Sequence, residues 1–390
     1  MKERISFLDE ARTDNTVSKK QIAKKFFSNC FKRYFLDAFT GMAQGLFVTL
    51  IAGTILAQIA SWIGLETTFG KILNAVASVA KMLMGAGIGV GIAHALKSPK
   101  LVIFAAAVAG LVGANSNAII GGTIATALVK NGALSFAPGN PIGAYVVAVI
   151  AVECSRLVAG KTKLDIILVP FTMMLASIGA CYAAWPFIKL VDLIAKGIEI
   201  ATTATPFVMG VVISVVMGLL LTLPTSSAAI WIAVASAAAP DSVPMLIAGG
   251  AAVCGCAAHM IGFAVASYRE NGFGGFIAQG LGTSMLQKPN LMRHPKILLP
   301  AVVSSAVVGP LSTCVFKLRC NAAGGGMGTS GLVGVFGVLD VTAGTIPDWQ
   351  MWLGIVLLIF VLPALISLIV SEIMRKTKWL KFGEMKLPVN

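Results

Sequence analysis

Three polar stretches interrupt apolar segments that are too long for the core of a water-soluble domain. They are Leu223-Pro224-Thr225-Ser226-Ser227, Gly282-Thr283-Ser284 and Gly328-Thr329-Ser330-Gly331. Lipid offers no hydrogen-bond partner, so backbone polar groups at membrane depth must be satisfied by the protein itself. Broken helices and re-entrant loops are tolerated there only where they line a cavity or lie buried in protein. The pattern predicts an all-α polytopic membrane protein with an internal polar site, most simply a transporter.

Composition agrees. The chain is 57% hydrophobic and 12% charged, with a mean hydropathy of +0.88. A soluble domain carries about 25% charged residues, so a water-exposed globule of this size could not be covered. The length of 390 residues has room for about ten spans of roughly 20 residues each. The 41 glycines suit close helix–helix approach in a membrane. The net charge of +14 is concentrated in Lys19, Lys20, Lys24, Lys25, Lys32 and Arg33 before the first apolar run, and in Arg375, Lys376, Lys378 and Lys381 after the last. Charge that flanks spans is the positive-inside signal and suits anionic lipid. It places both termini in the cytoplasm and argues against nucleic acid as a partner. The seven cysteines include no Cys-x-x-Cys pair and the three histidines are scattered, so neither a metal site nor a cofactor is expected. The charged N-terminus does not read as a cleaved signal peptide.

The expected organisation is a basic amphipathic cytoplasmic segment (1–36), a membrane-embedded domain (37–375) and a cytoplasmic tail (376–390). Ten crossings are expected, at about 40–62, 71–95, 101–129, 144–158, 165–188, 206–223, 226–239, 244–268, 297–316 and 351–374. Residues 189–204 read as an interfacial helix, and 272–286 and 322–345 as re-entrant hairpins.

Polar residues inside spans are costly and need a reason. Asn115, Ser116 and Asn117 interrupt one apolar helix, and Thr225, Ser226 and Ser227 another. They serve either substrate hydrogen bonding or helix–helix bonding. Asn140 lies in Pro138-Gly139-Asn140-Pro141-Ile142-Gly143, which cannot continue a helix and faces a cavity or forms a plain outer loop. Glu153 is a candidate intramembrane carboxylate, with Arg156 three residues on as a structural ion-pair partner. Glu270, beside Arg269 at a predicted cytoplasmic edge, is either a solvated cap or a carboxylate facing a phosphoryl donor. Asp340 follows the same logic. His259 lies inside a span, and Gln279 and Asn290 flank the first hairpin. No Gly-x-x-x-x-Gly-Lys-Ser/Thr loop is present, so the chain does not read as an ATPase.

Residues 245–290 are distinctive as a block. Gly255-Cys256-Ala257-Ala258-His259-Met260-Ile261-Gly262 runs on to Ser267-Tyr268-Arg269-Glu270-Asn271-Gly272 and Ala278-Gln279-Gly280-Leu281-Gly282-Thr283-Ser284. With Gly139-Asn140-Pro141-Ile142-Gly143 and Gly326-Met327-Gly328-Thr329-Ser330-Gly331, this resembles the membrane (IIC) components of the bacterial sugar phosphotransferase system, in their perfringolysin-regulator-like branch. The resemblance covers roughly residues 35–375. It implies a homodimeric sugar permease of the bacterial cytoplasmic membrane, with about ten spans and two re-entrant hairpins. The sugar would be phosphorylated by a separate IIB phosphocarrier protein. Better-known members carry a Gly-Ile-Thr-Glu hairpin whose glutamate holds the sugar. This chain has Gly328-Thr329-Ser330-Gly331 in the corresponding loop, so that role passes to no residue here. The sequence also shows no IIB or IIA domain.

The expected substrate-binding set is Asn115, Asn117, Asn140, Thr225, Ser226, His259, Gln279, Thr283, Ser284, Thr329 and Ser330, with Glu153 or Glu270 orienting the reacting hydroxyl. Two alternatives remain open at this stage. One is an ion-coupled transporter of the same fold, using Glu153 and Asp340. The other is a membrane sensor that regulates transcription.

Overall fold

The computed structural model describes residues 28–122, 129–130, 133–134, 139–223 and 226–387. Thr225 and the predicted amphipathic stretch before Ser28 lie outside the described residues. Helices dominate; among the described residues, extended pairing is limited to Val129 with Leu134 and Lys130 with Ala133. In chain order the helices are α1 (Ser28–Ile63), α2 (Thr68–Met82), α3 (Met84–Ala95), α4 (Lys100–Ala114), α5 (Ser116–Ile120), α6 (Pro141–Val158), α7 (Asp165–Ala204), α8 (Pro206–Thr222) and α9 (Ser227–Ala235). Then come α10 (Val243–Ala266), α11 (Tyr268–Ile277), α12 (Lys288–Arg293), α13 (Pro295–Phe316), α14 (Ser330–Thr342) and α15 (Asp348–Lys376).

Against the ten expected crossings, six helices among the described residues are long and apolar enough to span a bilayer, or seven if the bent pair α2–α3 is one span. Three more, α4, α8 and α14, are shorter apolar helices of 10–17 residues. They are short because polar breaks end or begin them: α4 stops at Asn115, α8 stops before the Pro224 stretch, and α14 starts at Ser330. The architecture is the all-α, multi-pass one expected.

Two local expectations change. The second expected span is two helices that meet at 53°. The fifth span and the interfacial helix are one rod, the 40-residue α7. At 1.5 Å per residue it is about 60 Å long, roughly twice a bilayer's hydrocarbon thickness. Leu190, Ile194 and Ile198 continue its apolar pattern, Ala195 is buried, and no glycine–proline pair ends the helix between 187 and 204.

Side chains fix several helix starts. Thr67 accepts from Gly70 N–H at 3.0 Å to begin α2. Asn140 accepts from Ile142 and Gly143 N–H at 2.9 and 3.0 Å, with Pro141 at the first helical position of α6. Ser226 accepts from Ala229 N–H at 3.2 Å to begin α9.

The helix α10 is the centre: 89% of its most apolar window is buried, against 28% for α7. It packs against α8, α13 and α15, while α1, α3, α4 and α6 form a second layer that α7 borders. Peripheral helices turn Phe104, Ile166, Phe171 and Leu193 outward, a surface suited to hydrocarbon. Packing inside depends on small residues. A Cβ on Gly45 would lie 2.2 Å from the Gly87 carbonyl oxygen, and one on Gly255 2.0 Å from that of Ser214. Backbones therefore touch along α1–α3 and α8–α10, the membrane mode of helix association.

This makes a direct prediction. Gly45→Ala forces two helices apart and should cost about 1–3 kcal/mol. Gly179→Ala on α7, where nothing lies within 4 Å, should be neutral. Thermal unfolding in detergent checks the pair: equal melting temperatures would contradict the packing described.

Candidate functional site

The interrupted stretches meet at the side of α10. Thr222, the last residue of α8, lies within hydrogen-bond distance of two groups from other elements. Its Oγ1 is 2.8 Å from His259 Nδ1 and 3.1 Å from Ser284 Oγ. It is also 3.2 Å from the Gly218 carbonyl oxygen. A hydroxyl donates once and accepts twice. If Thr222 donates to Gly218, it accepts from His259 Nδ1–H and from the Ser284 hydroxyl, and all three contacts are satisfied. That assignment leaves His259 Nε2 as a bare acceptor. Nε2 is buried and has no partner among the described residues. An unsatisfied buried polar atom of this kind costs about 1–3 kcal/mol, and a solute hydroxyl could satisfy it.

The local chain explains the convergence. Helix α11 continues as a π-helical turn, Ala278–Gly282, and the backbone then becomes extended at Thr283. Thr283 is half-buried and accepts from Met285 N–H at 3.2 Å, and Ser284 beside it is fully buried. The second broken segment (322–345) comes to the first (272–286): Thr329 Oγ1 donates to the Gly280 carbonyl at 2.5 Å and lies 3.5 Å from Met260 Sδ. Gln279, fully buried, donates to Ser267 Oγ at 2.9 Å and to the Gly275 carbonyl at 3.0 Å. Ser330 is half-buried beside Thr329. Ser227 at the start of α9 donates to the Gly326 carbonyl at 2.7 Å. Gly325 and Gly326 are needed there, since Cβ atoms would lie 2.1 Å from Trp231 Nε1 and 2.6 Å from the Ser227 carbonyl oxygen.

The asparagines form a separate place. Asn115, Asn117 and Asn140 line a cavity of about 440 Å³ with Asp192, Lys196 and Ser236. Asn115 also donates to the Leu111 carbonyl at 2.9 Å, closing the end of α4. The nine-residue α9 rises about 13 Å from one end to the other. Its first residue holds the second broken segment and Ser236 beyond its end lines the cavity.

Both candidate carboxylates lie elsewhere, already engaged. Glu153 Oε1 takes Arg33 Nη2 at 2.7 Å, Arg33 Nε at 3.0 Å and Arg156 Nη1 at 3.4 Å. Arg33 was not foreseen; it comes from the far end of α1. Glu270, with no side-chain exposure, pairs with Arg375 at 2.8 Å and accepts from Met385 N–H at 2.8 Å. Asp340 is exposed and accepts from Asn321 at 2.7 Å. Sequence reading also missed Thr222 as a partner of His259; its only signal was a hydroxyl placed immediately before the Leu223-Pro224 break.

Beyond α15 the chain folds back. Glu384 accepts from Lys296 Nζ at 2.9 Å and from Lys381 N–H at 3.0 Å, with His294 Nδ1 at 3.6 Å. Burial works against its ionised form, but the Lys296 and Lys381 hydrogen bonds, with the Lys296 and His294 charges, outweigh it. They hold the carboxyl below its ordinary value of 4.5. A carboxyl with a depressed folded value adds stability that is complete above its unfolded value and lost as pH falls through the folded one.

Two outcomes follow. Glu270→Gln unbalances a buried pair and should cost about 3–5 kcal/mol, whereas Glu153→Gln, in a part-exposed pair, should cost about 1 kcal/mol or less. Denaturation of the purified variants checks this, and equal losses would contradict it. The folded-back segment should stay docked from neutral pH down to about 4.5 and loosen below it. Trp379 fluorescence would report this, and loosening near pH 6 would refute the assignment.

The family model for the phosphotransferase system, EIIC, matches residues 36–387. A search of curated proteins finds no match.

Proposed function

Since this chain belongs to the phosphotransferase-system EIIC family, we propose that it is the membrane permease for a sugar or sugar-like solute that a separate IIB phosphocarrier phosphorylates. The observation that carries this reading is the His259–Thr222–Ser284 chain, buried where the broken segments converge. Sugars need many directed hydrogen bonds, and each one left unmade on desolvation costs about 1–3 kcal/mol. In this reading His259 Nε2 is the acceptor for a solute hydroxyl, with Ser284 joined to the ring through Thr222 and Thr329 set against the next residue, Met260. It is also the group best placed to orient the hydroxyl that receives phosphate. In this reading Glu153 and Glu270 hold structure rather than substrate: both oxygens of Glu270 are taken by Arg375 and the Met385 N–H, and Oε1 of Glu153 by Arg33 and Arg156. The asparagine cavity is a staging site on the solute's path. The reading includes re-entrant placement of the two broken segments and a homodimer in the bacterial cytoplasmic membrane, with both basic ends inside.

Uptake by a deletion strain grown on single carbon sources tests the proposal. Complementation should restore accumulation of one sugar class, and only with the phosphorelay intact. His259→Ala should lower uptake about 10- to 100-fold, the equivalent of one or two lost hydrogen bonds to a buried solute, at unchanged protein level in the membrane. Unchanged uptake of every sugar, with or without the relay, would refute it.

A further inference from the structure

The segment after α15 touches the first broken segment in a way the permease function does not require. Its backbone is gripped by side chains on both sides of that segment. Upstream, Glu270 accepts from Met385 N–H at 2.8 Å, Asn271 Nδ2 donates to the Met385 carbonyl at 2.9 Å, and Asn271 Oδ1 accepts from Leu387 N–H at 2.8 Å. Downstream, Gln287 Nε2 donates to the Met385 carbonyl at 2.9 Å and Asn290 Nδ2 to the Lys386 carbonyl at 2.9 Å. The ends of the broken segment are thus tied together through one short piece of chain that turns at residues 382–385. Leu380 and Met385 anchor that piece in a small core with Phe263, Leu291 and Ile297. Lys296 fixes its base, donating to the Trp379 carbonyl at 2.5 Å and pairing with Glu384.

The grip reaches the buried cluster. Gln287 Nε2 also donates to Gln279 Oε1 at 2.8 Å. Gln279 precedes Gly280, whose carbonyl takes the Thr329 hydroxyl. One hydrogen-bonded path therefore runs from residues 385–387 to the point where the two broken segments touch.

The broken segment itself is built to move. Gly272 sits at φ +60° within α11, and nothing lies within 4 Å of a Cβ placed on Gly272, Gly274 or Gly282. Phe273 is 67% exposed. Few buried apolar contacts and glycines at both ends mark a segment of low local stability, the kind used for gates.

We propose that residues 379–387 are a strap that holds the first broken segment closed over the His259 cluster, and that this strap must release before the cluster opens to the face that carries it. The proposal rests on the permease reading only in supplying a reason to open; the strap itself is read out without any solute.

The test measures alkylation of Ser284→Cys by a membrane-impermeant maleimide in vesicles of both orientations. The background carries Cys30→Ser, Cys154→Ser and Cys314→Ser, because those thiols are not fully buried. Two releasing variants are compared with the full chain: a truncation after Lys381, and Asn271→Ala with Gln287→Ala, which cuts the grip and keeps the segment. The expected result is labelling at least tenfold faster in both, from the strap-bearing face only, while Met285→Cys, at an exposed position next to Ser284, labels equally in all. If the truncated chain fails to fold, the double variant decides. Unchanged Ser284→Cys labelling in the folded double variant overturns the strap. Faster labelling without sugar uptake in any background keeps the strap and sinks the permease reading. Normal uptake by the chain that keeps Ser284, with unchanged labelling of Ser284→Cys, does the reverse.

Discussion

A break in a helix at membrane depth exposes N–H and C=O groups that only protein can satisfy, and the rest of this structure is arranged around meeting that demand. Thr329 answers the Gly280 carbonyl, Ser227 the Gly326 carbonyl, and Gln279 the Gly275 carbonyl. The first two donors come from another break, and the third from the same broken segment. The interrupted stretches therefore stabilise one another, and they can do so only by meeting at one place. That place is the flank of α10, where small residues from Ala248 to Ala258 let loops approach the helix backbone.

The same demand creates the site. Hydroxyls, amides and one imidazole brought in to satisfy backbone leave some capacity over, and His259 Nε2 is the clearest instance. A family that moves hydrophilic solutes through lipid needs polar groups in the interior that are already oriented by bonds to one another. The Thr222 hydroxyl provides this for His259 by fixing the ring through Nδ1. Orientation through the second nitrogen leaves the first with a defined role.

Much of this was legible in the sequence, for physical reasons. Polar residues next to glycine inside apolar runs mark breaks, so Ser284 and Thr329 stood out, and His259 stood out as a polar residue inside a span; Thr222 links His259 to Ser284, and Thr329 touches the neighbouring Met260. Asn115, Asn117 and Asn140 stood out by the same rule and share a different cavity. What was not legible depends on distant pairing. Nothing local to Glu153 announces Arg33, 120 residues away, and nothing local to Glu270 announces that the backbone of Met385 will use it. The continuity of α7 was also hidden, because charges at Asp192, Lys196 and Glu199 look like an interface when the helix ends are unknown. Asp192 and Lys196 line the asparagine cavity instead.

The account stands on the claim that the solute meets the protein where the broken segments meet one another. Density for the sugar taken up, in a structure of the loaded protein, tests this most directly. The account predicts a ring within hydrogen-bond reach of His259 Nε2 and the Ser284 hydroxyl, between the first and second broken segments. A sugar held only among Asn115, Asn117 and Asn140, with the His259 cluster closed and unchanged, would contradict it.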